Sequence, residues 1–145
     1  MSEDWEKFFE ENEGPKNIES VIDQVDSFCK SFKADQKVVL VTSGGTTIPF
    51  EKNTVRFIDN FSAGTRGSAS AEHFLKKGYA VIFLYRSKTL KPFERHFQNV
   101  NIFEMMTKSE DGKYQVSEDY SARFAAQMEA YQQSKERLLT VNTNN

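Results

Sequence analysis

The chain has 145 residues, the size of one ordinary domain, and its 38% of hydrophobic residues, including 13 Phe, can fill a core. A net charge of −2 gives no global reason to expect nucleic-acid binding, and a single cysteine, Cys29, excludes an intrachain disulfide framework and fits a reducing compartment. Residues 1–20 carry seven Asp/Glu against two Lys, and residues 86–95 carry four Lys/Arg against one Glu, runs that are most often solvated surface.

Residues 1–13 are acidic and hold Trp5, Phe8 and Phe9, so they either form a short helix that docks those rings or stay mobile. They lack the apolar core of a secretion signal. No apolar run approaches the roughly 18 residues that span a bilayer. A cytoplasmic protein with no membrane partner is expected. Gly14-Pro15 breaks the chain, and Ile18, Val21, Ile22, Val25, Phe28, Cys29 and Phe32 then recur at helical spacing. This predicts an amphipathic helix over 15–33, with Cys29 on its core face.

Residues 37–42 are a β-branched apolar run that reads as a strand buried on both faces. Ser43-Gly44-Gly45-Thr46 ends it in a turn. Ile48, Pro49 and Phe50 read as loop, and residues 54–63 as an irregular loop with a short extended piece at 55–58. A helix is predicted over 64–77, stopped by Gly78, with Lys76 and Lys77 at its negative end. Residues 79–85 read as a second buried strand, completing a right-handed βαβ unit. Residues 86–99 are expected to be loop, and residues 100–106 a third strand. Asp111-Gly112 signals a turn, and Ser117 should cap a long helix over 117–136. The short apolar run at 138–141 is left unassigned.

Chemistry concentrates at two glycine-bearing turns. The turn at 42–46 follows a strand, where open α/β sheets bind ligands, and Gly44 would let backbone approach a phosphate. A tight turn that simply needs glycine explains it equally well. Asn60-Phe61-Ser62-Ala63-Gly64-Thr65-Arg66-Gly67 lies just before a helix, a natural anion site. Neither turn is a Walker A sequence or a dinucleotide fingerprint, so kinase, ATPase and dehydrogenase assignments lack support. Arg56, Asp59, Asn60 and Arg66 crowd eleven positions. Arg56 can grip a carboxylate or phosphate, or merely pair with Asp59 on a surface loop. Asn60 can orient a reacting carbonyl without a charge. His73 and His96, with no cysteine near them, make neither a metal cluster nor a triad.

Residues 39–46 and 55–67, continued by 71–86, resemble phosphopantothenate–cysteine ligase in its separate eukaryotic form. The resemblance implies a Rossmann-like three-layer α/β fold with a mainly parallel sheet. It implies a ligase of coenzyme A synthesis that activates the carboxylate of phosphopantothenate with a nucleotide and then forms an amide with the amine of cysteine. ATP and Mg²⁺ are the implied cofactors, and a homodimer the implied assembly. Carried over position by position, Gly44, Ser62, Gly64 and Gly67 match nucleotide contacts, with Arg66 near phosphate. Asn60 matches a residue that orients the acyl intermediate. Arg56 matches one that serves the substrate site, in family dimers from the neighbouring subunit. On this reading residues 1–33 are an N-terminal helical segment, and residues 34–145 the amino-terminal part of a Rossmann-like ligase domain that is apparently truncated. The family's later Ala-Ala-Val-Ser/Ala-Asp-type strand and lysine-bearing segment are not found. The alternative is a catalytically incomplete half-domain that binds nucleotide or pairs with a full-length subunit.

Overall fold

The computed structural model describes residues 4–11, 14, 17–53 and 55–142. Two helices come first, α1 (Asp4–Glu11) and α2 (Ile18–Lys30). α2 realises the apolar periodicity, yet none of its residues is buried and Cys29 is exposed, which corrects the expectation of a core cysteine. Helical spacing marks a face able to pack. Whether that face is covered depends on neighbours, and α2 finds its main one at the sheet's far edge.

β1 (Val38–Ser43) follows, then a hairpin of β2 (Thr47–Pro49) and β3 (Phe57–Asp59), then α3 (Thr65–Lys76) and β4 (Ala80–Tyr85). β1 runs parallel to β4 in register from Val38–Ala80 to Ser43–Tyr85, so the expected strand–helix–strand unit is present. The hairpin corrects the loop expected at 48–50, where Ile48 pairs with Ile58 and Thr47 with Asp59, while β3 overlaps the extended piece expected at 55–58 and residues 60–63 are loop as expected.

Residues 100–106 do not form the expected third strand. They give a helical turn, α4 (Ile102–Met105), leading into β5 (Met106–Lys108), which pairs antiparallel with β6 (Tyr114–Val116). The cause is Asn101. Its Oδ1 accepts the Phe103 N–H at 3.0 Å and its amide donates to Glu104 at 3.3 Å, a local cap that competes with strand pairing. α5 (Glu118–Ser134) is the predicted long helix. Ser117 stands at its N-cap, but the hydroxyl makes no capping bond. β7 (Leu138–Asn142), the run left unassigned, is the third parallel strand, paired to β4 from Val81–Leu138 to Tyr85–Asn142.

The main sheet therefore has the order β1-β4-β7, a mixed α/β architecture around a parallel sheet, as the sequence implied. β4 is central, and Ala80, Val81, Ile82 and Phe83 are all buried. α3 packs on one face through Ala71 and Leu75, against Val41, Val81 and Phe83. Small residues at Ser68 and Ala71 let the helix approach closely. Burying a side chain the size of Phe83 contributes about 1.5–3 kcal/mol. β1 is not covered on both faces as expected: Val41 is buried, but Leu40, on the opposite face, is 59% exposed. Arg137 joins the layers by donating from Nη1 to the carbonyls of Leu75 and Tyr79, at 2.9 and 3.1 Å, which satisfies the carboxyl end of α3. Among the described residues no helix is long and apolar enough to cross a membrane.

Candidate functional site

Where β1 ends, Ser43, Gly44 and Gly45 turn the chain into the β2–β3 hairpin. Where β3 ends, residues 60–64 return it to α3. Both connections lie at the carboxyl end of the parallel strands, the position where open α/β sheets form a crevice. Two clefts open there. The first, about 320 Å³, is lined by Ser43, Gly44, Ser62, Gly64, Arg66 and Gly67, among others. It collects the five residues that the sequence singled out for nucleotide contact. The second, about 520 Å³, lies across Ser62 and is lined by Thr47, Asp59, Phe61, Arg86, Lys88 and Thr89, among others.

The first cleft has the chemistry of an anion site. Gly64 is the N-cap of α3, with φ at +81°, and no side chain caps the helix and no acid sits in its first turn. The first helical bond runs from the Ser68 N–H to the Gly64 carbonyl at 3.0 Å. The N–H groups of Thr65, Arg66 and Gly67 therefore have no intrahelical acceptor and add to the positive end of the helix dipole. Arg66 brings a full positive charge to the same rim. The glycines are also a packing requirement. A Cβ on Gly64 would run into Cγ2 of Thr89, and one on Gly67 would meet Ser43 Cβ at 2.5 Å. Ser43 Oγ donates to the Gly64 carbonyl at 3.2 Å, fastening the end of β1 to the start of α3.

Asn60 stands at the junction of the two turns. Its Oδ1 accepts the N–H of Thr46 and the N–H of Ser62, both at 3.2 Å, and its own N–H donates to the Thr46 carbonyl at 3.3 Å. Two donors on one side-chain atom identify that atom as the oxygen. The amide NH₂ then keeps both of its protons for a ligand, since among the described residues it has no acceptor. A neutral, fixed donor of this kind can stabilise charge growing on a carbonyl oxygen.

Arg56 is not brought to either cleft within this chain. Its side chain is 77% exposed and its Nε lies 3.0 Å from Glu51 Oε1, while its backbone N–H donates to the same oxygen at 3.1 Å. The surface pair with Asp59 that the sequence left open does not form. Asp59 is engaged by Arg86, Nη1 to Oδ2 at 3.1 Å, by the Phe61 N–H on Oδ1 at 2.6 Å, and by the Thr47 hydroxyl. The Thr47 hydroxyl, then the Phe61 N–H and the Arg86 guanidinium, hold its carboxyl below the ordinary 3.8 despite some desolvation.

Three residues of this region were given no site role from the sequence. Arg86 follows the last residue of β4, and Thr89 is buried over Gly44 and Gly64. Glu72, on α3, accepts Arg95 Nε and Nη2 at 2.8 and 2.7 Å, the Phe93 N–H at 2.8 Å and His96 Nε2 at 2.9 Å. Burial pushes the Glu72 carboxyl up, but Arg95, the Phe93 N–H and His96 outweigh it and leave the carboxyl below the ordinary 4.5. This knot pins residues 86–97 against α3, and with them the Thr89 wall. A lone acid on a helix otherwise small and apolar on that side was the available signal. His96 is thus tied into the knot, and His73 is exposed. Among the described residues no three His, Cys, Asp or Glu converge as a metal site.

The family model described as the DNA/pantothenate metabolism flavoprotein C-terminal domain matches residues 34–136. The phosphopantothenate–cysteine ligase CAB2 of Saccharomyces cerevisiae is 53% identical over 97 residues, covering 65% of this chain and 26% of that protein. Phosphopantothenate–cysteine ligase 1 of Arabidopsis thaliana is 42% identical over 118 residues, covering 79% of this chain and 37% of its own length. Among solved structures, a Cab2 mutant in complex with phosphopantothenate-cysteine superposes with a TM-score of 0.78 at 40% identity, over 94% of this chain and 46% of that one. The chain thus spans less than half the length of these relatives. With the family model matching most of its residues, and ligases of phosphopantothenate and cysteine as its relatives, the chain belongs to the DNA/pantothenate metabolism flavoprotein C-terminal domain family.

Proposed function

We propose that this chain carries part or all of a ligase of coenzyme A biosynthesis that joins phosphopantothenate to cysteine through a nucleotide-activated acyl intermediate. One observation carries the reading. The Asn60 carboxamide has its oxygen held by two backbone N–H groups and its NH₂ without an acceptor among the described residues, on the turn that leads through Ser62 and Gly64 into the uncapped start of α3. A carboxylate is a poor electrophile, so such a site must neutralise phosphate charge and steady the carbonyl at once.

The first cleft fits the phosphate chain of ATP. The N–H groups of Thr65, Arg66 and Gly67 and the Arg66 guanidinium would hold it, with Ser62 and Gly44 as walls. Bound ATP with Mg²⁺ would supply the activation of the carboxylate, with pyrophosphate as leaving group. The phosphate oxygens would be the main ligands of the Mg²⁺, which commonly takes few from protein. Asn60 would donate to the oxygen of the reacting carboxyl and orient it for the amine of cysteine. The second cleft, joined to the first at Ser62, would take the rest of phosphopantothenate.

A homodimer belongs to this proposal. Its support is the β2–β3 hairpin, where Ile48, Phe50, Val55 and Ile58 are largely exposed and Arg56, paired with Glu51 on the surface, stands clear of its own chain's clefts. A cytoplasmic setting, the division at residue 33 and the roles of the glycines stand on the same footing. A second reading has an observation of its own. Leu40 of β1 is 59% exposed, as in a half-domain that binds nucleotide or pairs with a full-length subunit.

Pyrophosphate release from ATP, Mg²⁺, phosphopantothenate and cysteine by the purified chain tests the first reading, with Asn60→Ala alongside. Release that requires phosphopantothenate and is lost in the variant is expected. A folded chain that binds ATP and releases nothing would favour the half-domain.

A further inference from the structure

We infer that Arg86, which also lines the second cleft, is a positioning residue that sets the Asn60 carboxamide through Asp59 and Thr47. The inference rests on the role given to Asn60 above. Asn60 lies on an exposed turn, and its neighbour Phe61 is 83% exposed with φ at +48°. A non-glycine residue in that conformation persists only where its surroundings hold it.

What holds it begins at the main sheet. Arg86 follows the last residue of β4, and its backbone N–H donates to the Ser43 carbonyl at 3.3 Å, so its origin is fixed by the parallel ladder. Its guanidinium leaves the sheet for the hairpin. Nη1 donates to Asp59 Oδ2 at 3.1 Å, Nη2 donates to the Thr47 hydroxyl, and that hydroxyl donates to Asp59 Oδ2. The other Asp59 oxygen accepts the Phe61 N–H at 2.6 Å. Thr47 and Asp59 are themselves a register pair of β2 and β3. Asn60 is therefore bracketed. On one side Asp59 is anchored to the core, and on the other Phe61 is drawn back onto the same carboxylate.

Charge and geometry agree. Asp59 is 14% exposed in its side chain and Arg86 33%, so the pair is partly shielded from water. Among the described residues the arm has no other charged tie to the sheet. The planar fork of Arg86 reaches two acceptors on two strands, which a lysine cannot do. Without it, the turn would keep the Asn60 bonds to Thr46 and Ser62 but lose its placement relative to the helix start. A displacement of about 1 Å at a reacting group can cost about 100-fold in rate.

The test combines two readouts on the full 145-residue chain with Arg86→Met and Asp59→Asn. The first is the side-chain amide resonance pair of Asn60, assigned by its loss in Asn60→Ser. In both variants it is expected to move toward unstructured-peptide positions while the backbone resonances of Leu75, Val81 and Phe83 stay in place. The second is product formation, expected to fall about 100-fold in Arg86→Met. Added guanidinium should restore part of it in Arg86→Ala. An unmoved Asn60 pair in both variants overturns the inference. So does loss of the core resonances in both, which would make the cluster a requirement for folding. A wild-type chain that forms no product removes the proposed function, and the resonance experiment still decides where Arg86 acts.

Discussion

Gly64→Ala should destabilise the chain far more than Gly78→Ala, although both add one methyl group at a left-handed residue. Gly64 has φ at +81° and Gly78 at +85°. An alanine in that region costs about 1–2 kcal/mol, offset in both variants by about 0.4–1 kcal/mol of lost unfolded-state entropy. The two sites differ in what the new Cβ meets. At Gly78 nothing lies within 4 Å, whereas at Gly64 the methyl would enter the space of Thr89 Cγ2 and come within 2.8 Å of Ser43 Oγ. Thr89 is buried and stands on the segment pinned by Glu72, so it cannot swing away cheaply. Overpacking of this kind costs about 1–3 kcal/mol, which is the predicted difference between the variants. Urea denaturation followed by circular dichroism reads it directly. With a slope of about 1–3 kcal/mol per molar, the midpoints should separate by about 1 M. Thr89→Ser, which removes the offending methyl, should return much of the loss in the Gly64→Ala background. Coincident midpoints for Gly64→Ala and Gly78→Ala would refute the claim that Thr89 packs down on the start of α3.

Glu72, held below its ordinary value, contributes stability that is complete above about pH 4.5 and is lost as pH falls through the folded value. Glu72→Gln should therefore flatten the acid limb of a stability–pH curve, and an unchanged limb would exclude the Arg95–His96 knot as its source. Arg137→Met removes the side-chain donor from the Leu75 and Tyr79 carbonyls, of which Leu75 keeps the Gly78 N–H at 3.0 Å, and should cost about 1–3 kcal/mol in the same melts. Cys29 should react fully with a thiol reagent in the folded chain at a rate close to that in denaturant, because it is exposed. Slow labelling would return it to a covered interface.

The residues that bear patterns were legible in the sequence; those whose state depends on distant neighbours were not. Strands β1 and β4, and the helix between them, follow from β-branched runs, a glycine turn and the Gly78 stop. The burial of β4 follows as well, but that of β1 does not. Leu40 and Cys29 belong to apolar patterns yet are themselves exposed, and periodicity cannot report that. β7 was missed because its partner, β4, lies more than fifty residues earlier and its own run is short. Residues 100–106 carried a contrary signal in Asn101 and Glu104, three apart, which cap a helical turn before the strand begins. At the candidate site, the glycines, Ser62 and Asn60 were singled out through motif and resemblance. Arg86 and Glu72 were given no role, since each works through partners 21 to 39 positions away, a tertiary fact with no local spacing to announce it.

The most direct test of the central claim is a pair of ¹⁵N–¹H titrations of the chain, one with ATP and Mg²⁺ and one with phosphopantothenate. ATP is predicted to shift the backbone amides of Thr65, Arg66 and Gly67 and those at Gly44 and Ser62. Phosphopantothenate is predicted to shift the Asn60 side-chain amide and residues 86–89. Binding that leaves all of these resonances in place and moves others would contradict the account, because the clefts at the carboxyl end of the sheet would then not be the site.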